Sequence, residues 1–203
     1  MKITKITQQV KRANRYSVYV DDTYSFSLSE IALLESGISI GRELTDSELV
    51  AFKKLSQDDK IYGQALRYVA MRSHTTWEMQ SYMERKGAPP ALIEDTVAKL
   101  TDLGLLDDLK YAVSFANDRR LLRSSSKRKI TADLRAKRVP DSVIREAIGS
   151  DPDEERQALD AMIIRKRRQS KYQDDQKLMQ YLARQGYGYT DIKRALIGND
   201  EYS

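Results

Sequence analysis

Residues able to carry covalent chemistry are few in this chain. Cysteine is absent, which excludes disulfides and thiolate metal sites. The single histidine, His74, stands just before Thr75 with no nucleophile motif around it, so an exposed turn residue is expected there. Asp107 and Asp108 are adjacent, and adjacent side chains leave a helix on different sides. Acids are favoured at a helix start by the macrodipole, and Asp58-Asp59 and Asp174-Asp175 sit at comparable places. Capping, not metal binding, is the expectation for all three pairs. No glycine-rich phosphate loop occurs, so the chain is not expected to hydrolyse nucleotides itself. No catalytic residue, cofactor or metal is expected, and the chain reads as no enzyme.

Charge remains as the means of action. Lysine and arginine number 35 against 30 acids, for a net +5. Residues 1–60 hold nine of each sign, so the whole excess lies in 61–203. From Arg119 to Arg138 there are nine basic residues and one acid, Asp133. Arg165, Lys166, Arg167, Arg168 and Lys171 add five more with no acid between them. Such clusters create a positive potential that a polyanion neutralises with release of counterions. Arg119, Arg120, Arg123, Lys127, Arg128 and Lys129, with Arg165 to Arg168 and Lys171, are therefore the candidate binding residues. Arg119, Arg120 and Arg123 have the spacing of one face near a helix end, where cations are favourable anyway. Lys127, Arg128 and Lys129 begin the next helix, where cations are disfavoured, and an acidic partner would supply the compensation. Tyr68 and Tyr111 read as core aromatics. Tyr172, Tyr187 and Tyr189 lie beside basic residues and turns, where a ring could stack on an unpaired base.

The elements that must position these residues form a repeat over 58–199. Its marker is a helix centred on Met83, Leu134 and Leu182, which lie 51 and 48 residues apart (83 to 134, 134 to 182). Met79, Ile130 and Leu178 lie four residues before each marker, and Ile93, Ile144 and Ile192 lie ten after. Val97, Ile148 and Leu196 lie fourteen after, and Thr75, Ser126 and Asp174 lie eight before as helix N-caps. Each copy reads as three amphipathic helices. Helix one of the first copy is expected over 58–72, helix two opens at Thr75 with Glu78 completing a capping box, and Gly87 stops it. Pro89 and Pro90 fit the turn and first position of helix three, which ends at Gly104. The third copy departs most, with Gly188 where the others have proline. Copies this small lack a sufficient core alone, so an elongated, solenoid-like stack is expected.

Residues 1–28 alternate apolar and polar around two polar turns, Lys11 to Asn14 and Asp21 to Thr23. That pattern predicts a three-stranded antiparallel meander. Ser29 then caps a short helix ending at Gly37. Thr45 and Glu48 open a second helix carrying Leu49, Phe52 and Leu55. The expected organisation is a small α+β region over 1–56 and three repeats over 57–106, 107–151 and 152–199. The 103–109 connection leaves no room for a flexible linker. The run from Gly149 to Pro152 is a sharper break where the stack could bend, and the tail 200–203 should fray. No run approaches the ~18 apolar residues of a membrane span, and residues 1–10 lack a signal-peptide core. A soluble, cytoplasmic monomer is expected.

The run Gly104-Leu105-Leu106-Asp107-Asp108-Leu109-Lys110-Tyr111-Ala112, followed by Arg119, Ile130, Leu134, Lys137 and Val139, resembles the signature of the RecX family of bacterial regulatory proteins. The triple three-helix repeat resembles that family too. Where members usually carry a glycine before helix two of the middle repeat and a Lys-Gly pair after it, this chain has Ser126 and Lys137-Arg138. The resemblance implies a modulator, usually an inhibitor, of the RecA recombinase. Such a protein lies along the RecA–single-stranded DNA filament and acts in recombination, DNA repair and the SOS response. Its partners would be that filament, single-stranded DNA and also double-stranded DNA. Two other classes stay open: a sequence-tolerant DNA-binding module acting without RecA, and a scaffold for a protein partner only.

Overall fold

The computed structural model describes residues 1–149 and 152–200. Of the break expected from Gly149 to Pro152, Ser150 and Asp151 lie outside the described residues, as do residues 201–203 of the tail expected to fray. The fold is mainly helical with a small N-terminal sheet, and the helices form three-helix repeats. By its packing the chain divides into two units: Met1–Ser73 with Met79–Leu105, and His74–Glu78 with the residues from Leu106 onward.

In the first unit, β1 (Ile3–Gln9), β2 (Arg12–Val20) and β3 (Thr23–Ser29) form an antiparallel sheet in sequence order. The β2–β3 hairpin turns on Asp21 and Asp22, both with positive φ (46° and 62°), the conformation that matches the twist of paired strands. Ile3, Val18, Val20, Phe26 and Leu28 fill one face of the sheet, covered by Leu49 and Phe52 among others. Ser29 caps α1 (Glu30–Glu35) by accepting from the Ala32 amide.

The two helices expected on either side of residue 56 are one, α2 (Asp46–Met71), opened by the Thr45–Glu48 capping box. Nothing between Leu55 and Asp58 can break a helix: the intervening residues are Ser56 and Gln57, and neither removes an N–H nor favours a left-handed turn. The Asp58-Asp59 pair is thus mid-helix, contrary to the capping expectation. Asp59 instead accepts from the Ser29 amide at 2.9 Å and pairs with Arg15 at 2.8 Å. Helices α3 (Thr76–Arg85) and α4 (Pro90–Asp102) complete the first repeat.

The second unit holds α5 (Asp108–Arg123), α6 (Lys127–Ala136) and α7 (Asp141–Ile148). It continues with α8 (Pro152–Arg167), a 3-10 turn (Ser170–Tyr172), α9 (Asp175–Arg184) and α10 (Tyr189–Asp200). Ala112, Ala116, Ile130, Leu134 and Ile144 make one core; Leu159, Met162, Leu178, Leu182 and Ile192 make the other. The recurring apolar columns read from the sequence are buried in all three copies, except that Val97 is half-buried.

One pattern of bonds recurs at two places in the second unit. Ser126 Oγ accepts from its own helix, the Lys129 amide, at 3.1 Å, and donates to the Gln185 carbonyl at the end of α9, at 2.8 Å. Thr75 Oγ1 accepts from the Glu78 amide at 3.1 Å and donates to the Lys137 carbonyl at the end of α6, at 3.3 Å. A carboxylate from the following first helix takes the next free amide. Glu155 accepts from Lys127 N with both oxygens at 3.0 Å, and Asp108 accepts from Thr76 N at 2.8 Å. Asp174 caps α9 by accepting from the Lys177 amide, but a carboxylate has no proton to hand on.

The approach of α9 to α6 demands Gly186, whose φ is +91°. A Cβ there would fall on Ser126 Oγ and lie 3.2 Å from the Lys129 amide nitrogen. Arg138 occupies the equivalent place after α6 with φ +58°, a conformation that strains a residue with a Cβ. Arg138→Gly should therefore stabilise the protein by about 0.5–1 kcal/mol, the strain relieved less the entropy glycine adds to the unfolded chain. Gly186→Ala should cost about 2–4 kcal/mol through strain and overpacking. Thermal melting of the two variants checks both signs.

Candidate nucleic-acid interface

The candidate cations lie on the last turn of α5, the first turn of α6, the last turn of α8 and the residues that follow it. The two sequence clusters meet: Arg165 donates to the Leu122 carbonyl at 3.5 Å, which brings the end of α8 to the end of α5. Tyr187 reinforces this place from α9's side, its hydroxyl donating to the Ser124 carbonyl at 2.7 Å. Burial pushes the Tyr187 phenol well above its ordinary range, and the Glu155 carboxylate adds to the rise.

Many of the cations already have internal partners. Arg119 lies 3.6 Å and Lys129 lies 3.7 Å from Asp133. Arg120 pairs with Glu154 at 3.5 Å and donates to the Ile148 carbonyl. Arg167 spans Asp175 and the Gln173 carbonyl. Lys166 sits over the Tyr172 and Tyr181 rings, 5.3 Å and 4.5 Å from their centroids, and Lys171 lies 5.6 Å from that of Tyr172. Arg123, Arg128 and Arg168 are exposed and pair with no carboxylate among the described residues.

Three readings of individual residues change. The compensation that Lys127 to Lys129 require comes from within: Glu155 sits on the first amide of α6 and Asp133 pairs with Lys129. Burial raises the Glu155 carboxyl pKa; its hydrogen bond from the Lys127 amide and the charges of Lys127 and Arg120 work the other way. His74 is buried, 3% exposed, not an exposed turn residue. It belongs to the short His74–Glu78 segment that packs with the second unit. Tyr172 and Tyr187 are buried too, so of the three possible stacking rings only Tyr189 presents its face to solvent. Tyr111 is half-buried against the core of α5 to α7, and Tyr68, also half-buried, stacks on Tyr82.

The signature stretch has a structural role that is now explicit. Asp107 caps α5 through the Lys110 amide, as expected, while Asp108 reaches the first amide of α3. Lys137 Nζ donates to Glu78 Oε1 at 2.7 Å and lies 5.6 Å from the Tyr111 ring centroid. Burial disfavours the charge on Lys137, but its bonds to Glu78 and Tyr111 outweigh this and raise its pKa. Glu155 was missed in the sequence. Comparing the acids that open each first helix, Asp108 and then Glu155, was the signal that could have found it.

Three family models match the chain. The RecX N-terminal domain matches residues 1–45, its first three-helix domain matches 62–100 and its second three-helix domain matches 107–148. A regulatory protein RecX of Bacillus subtilis is 25% identical over 98% of this chain and 77% of its own length. One from Leuconostoc mesenteroides is 27% identical over 98% of this chain and 78% of its own. A crystal structure of a regulatory protein RecX superposes with a TM-score of 0.75 at 26% identity, covering 95% of this chain and 97% of the other.

The raised pKa of Glu155 gives a signed prediction. A carboxyl that binds its proton more readily in the folded state adds stability as pH falls through its folded pKa, and the gain levels off below the unfolded value. Glu155→Gln keeps an acceptor for Lys127 N and removes the buried charge. It should melt within about 0.5 kcal/mol of wild type at neutral pH and lose this acid-side gain. Glu155→Ala, which empties the cap, should cost about 1 kcal/mol. Denaturation midpoints of the three proteins between neutral and mildly acid pH distinguish the outcomes.

Proposed function

The chain belongs to the RecX family of regulatory proteins, and from that premise we propose that it binds the RecA–single-stranded DNA filament and restrains RecA's recombinase and ATPase activity. The family supports a regulatory role, and the charge supports the partner. The observation that carries the reading is the set of exposed, internally unpaired arginines, Arg123, Arg128 and Arg168, left over once the structural ion pairs are subtracted. They lie in the part of the chain that holds the whole positive excess.

Action is electrostatic and steric. The arginines contact DNA phosphate or acidic protein surface, and the helical repeats occupy space that a second DNA strand or a shifting protomer needs. No bond is made or broken. Among the described residues no group of His, Asp and Glu is placed to hold a metal ion, and no helix is long and apolar enough to cross a membrane.

The test is RecA's DNA-dependent ATP hydrolysis with this protein titrated at fixed salt. Inhibition well below one copy per protomer is expected. Changing Arg123, Arg128 and Arg168 together to glutamate should raise the half-inhibitory concentration at least about tenfold, since each phosphate contact carries a share of the salt-dependent affinity. The melting temperature should hardly move, because none of the three has an internal carboxylate to lose. Arg119 and Arg120 are left unchanged, because each already lies beside an internal carboxylate, Asp133 and Glu154. Inhibition that sets in only when DNA itself is saturated would replace the proposal with a DNA-binding module acting without RecA.

A further inference from the structure

A cleft of about 330 Å³ opens between α6 and α7, apart from the arginines considered above. Its α6 wall is Lys127, Thr131 and Arg135, spaced by four residues and therefore on one face of the helix. Its α7 wall carries Asp141 and Arg145, and at its base lie Ile144 and Ile148, both enclosed in the core. Three cations and a hydroxyl thus converge on a space lined by a single acid. The volume is at the small end for a ligand site, roughly 300 Å³ upward, which suits one nucleotide unit better than a folded partner.

The acid is not idle. Arg135 Nε donates to Asp141 Oδ1 at 2.8 Å and Nη2 donates to Oδ2 at 3.2 Å. This fork-to-fork arrangement is the one guanidinium also makes with a phosphate. Both side chains are more than half exposed, so solvent and dissolved anions reach the pair and compete for it. An arriving phosphate can therefore compete with the carboxylate for Arg135, with Arg145 on the α7 wall adding attraction.

We propose that this cleft is a phosphodiester-binding subsite for single-stranded DNA, in which one backbone phosphate displaces Asp141 from Arg135. Asp141 acts as an internal stand-in for the phosphate. It keeps Arg135 oriented when the cleft is empty and sets a threshold against weaker anions. The inference rests on the nucleic-acid contact proposed for the protein, and it adds Arg135 and Arg145 to the residues that make it.

The test is the affinity of the full-length protein for a labelled oligothymidylate, followed by fluorescence anisotropy across a salt series. Asp141→Asn should tighten binding about three- to tenfold, since it frees Arg135 and removes the competing charge. Arg135→Gln and Arg145→Gln should each weaken it by a similar factor and reduce the salt slope by about one. Arg145 acts on Asp141 through charge and takes no part in the fork's two hydrogen bonds, so its variant removes a cleft cation and leaves those bonds in place. Equal affinities for wild type and all three variants would overturn the subsite. So would competition by inorganic phosphate or thymidine monophosphate as effective as that by the oligonucleotide, which would mark a free-anion site. Tighter binding of a glutamate-rich peptide than of the oligonucleotide would assign the cleft to a protein partner instead, and overturn the proposal. Wild type that inhibits RecA while the cleft variants inhibit equally well sinks only the subsite. Wild type that binds neither DNA nor filament sinks the reading on which it rests.

Discussion

A hydroxyl at the start of one helix, donating to the last carbonyl of another, organises the second unit. Ser126 serves α6 as its N-cap and at the same time closes the end of α9; Thr75 does the same for α3 and α6. The contact joins the positive end of one helix dipole to the negative end of the next, so both sets of terminal groups are satisfied at once. Each such bond is worth about 1 kcal/mol, whereas burying one leucine or isoleucine contributes about 1.5–3 kcal/mol. The cores around Leu134 and Leu182 therefore supply the stability. The hydroxyls supply direction, because an apolar core alone would tolerate a shift along the helix axis and a bonded helix end does not. Serine and threonine can accept and donate together; the carboxylate of Asp174 can only accept.

This way of joining helices governs the electrostatics. Lys127 at the start of α6 would be unfavourable on an isolated helix, and Glu155 makes it tolerable by sitting on the same amide. Asp133 gathers Arg119 and Lys129, and Glu154 gathers Arg120. Much of the positive charge between Arg119 and Arg138 is thus used to hold helices together. The fraction left over matters for partners, and it is smaller and differently distributed than a count along the chain suggests. A long-range attraction for a polyanion survives, since neutral pairs do not cancel the net excess in this part of the molecule.

The chain spends several of its unusual side chains on structure. The single histidine is enclosed, and Tyr187 braces a carbonyl. Lys137 spans Glu78 and Tyr111 in the middle of the family signature. That signature is a set of junction residues. Asp107 caps α5, Asp108 takes the Thr76 amide and Lys137 reaches Glu78, all within the second unit.

Much of the fold was legible in the sequence. Periodicity of three and four placed the buried columns, the N-caps at Thr75, Ser126 and Asp174 fixed where second helices begin, and alternation gave the meander. These features depend on neighbours within one turn or one strand, so they survive in a linear reading. The helix boundary near residue 56 was misplaced because Asp58-Asp59 looks like a cap locally, and only Ser29 and Arg15, far away in the chain, show what Asp59 is for. The candidate site was legible only as two runs of like charge. Which arginines stay unpaired, which acid compensates Lys127 and which residues wall a cleft with Arg135 are set by contacts between residues some six to forty positions apart. The sequence alone determined the repeats, their caps and the sign of the charge, because those are local. Tertiary structure decided where that charge is free to act, because a cation's availability depends on the acids that folding brings beside it.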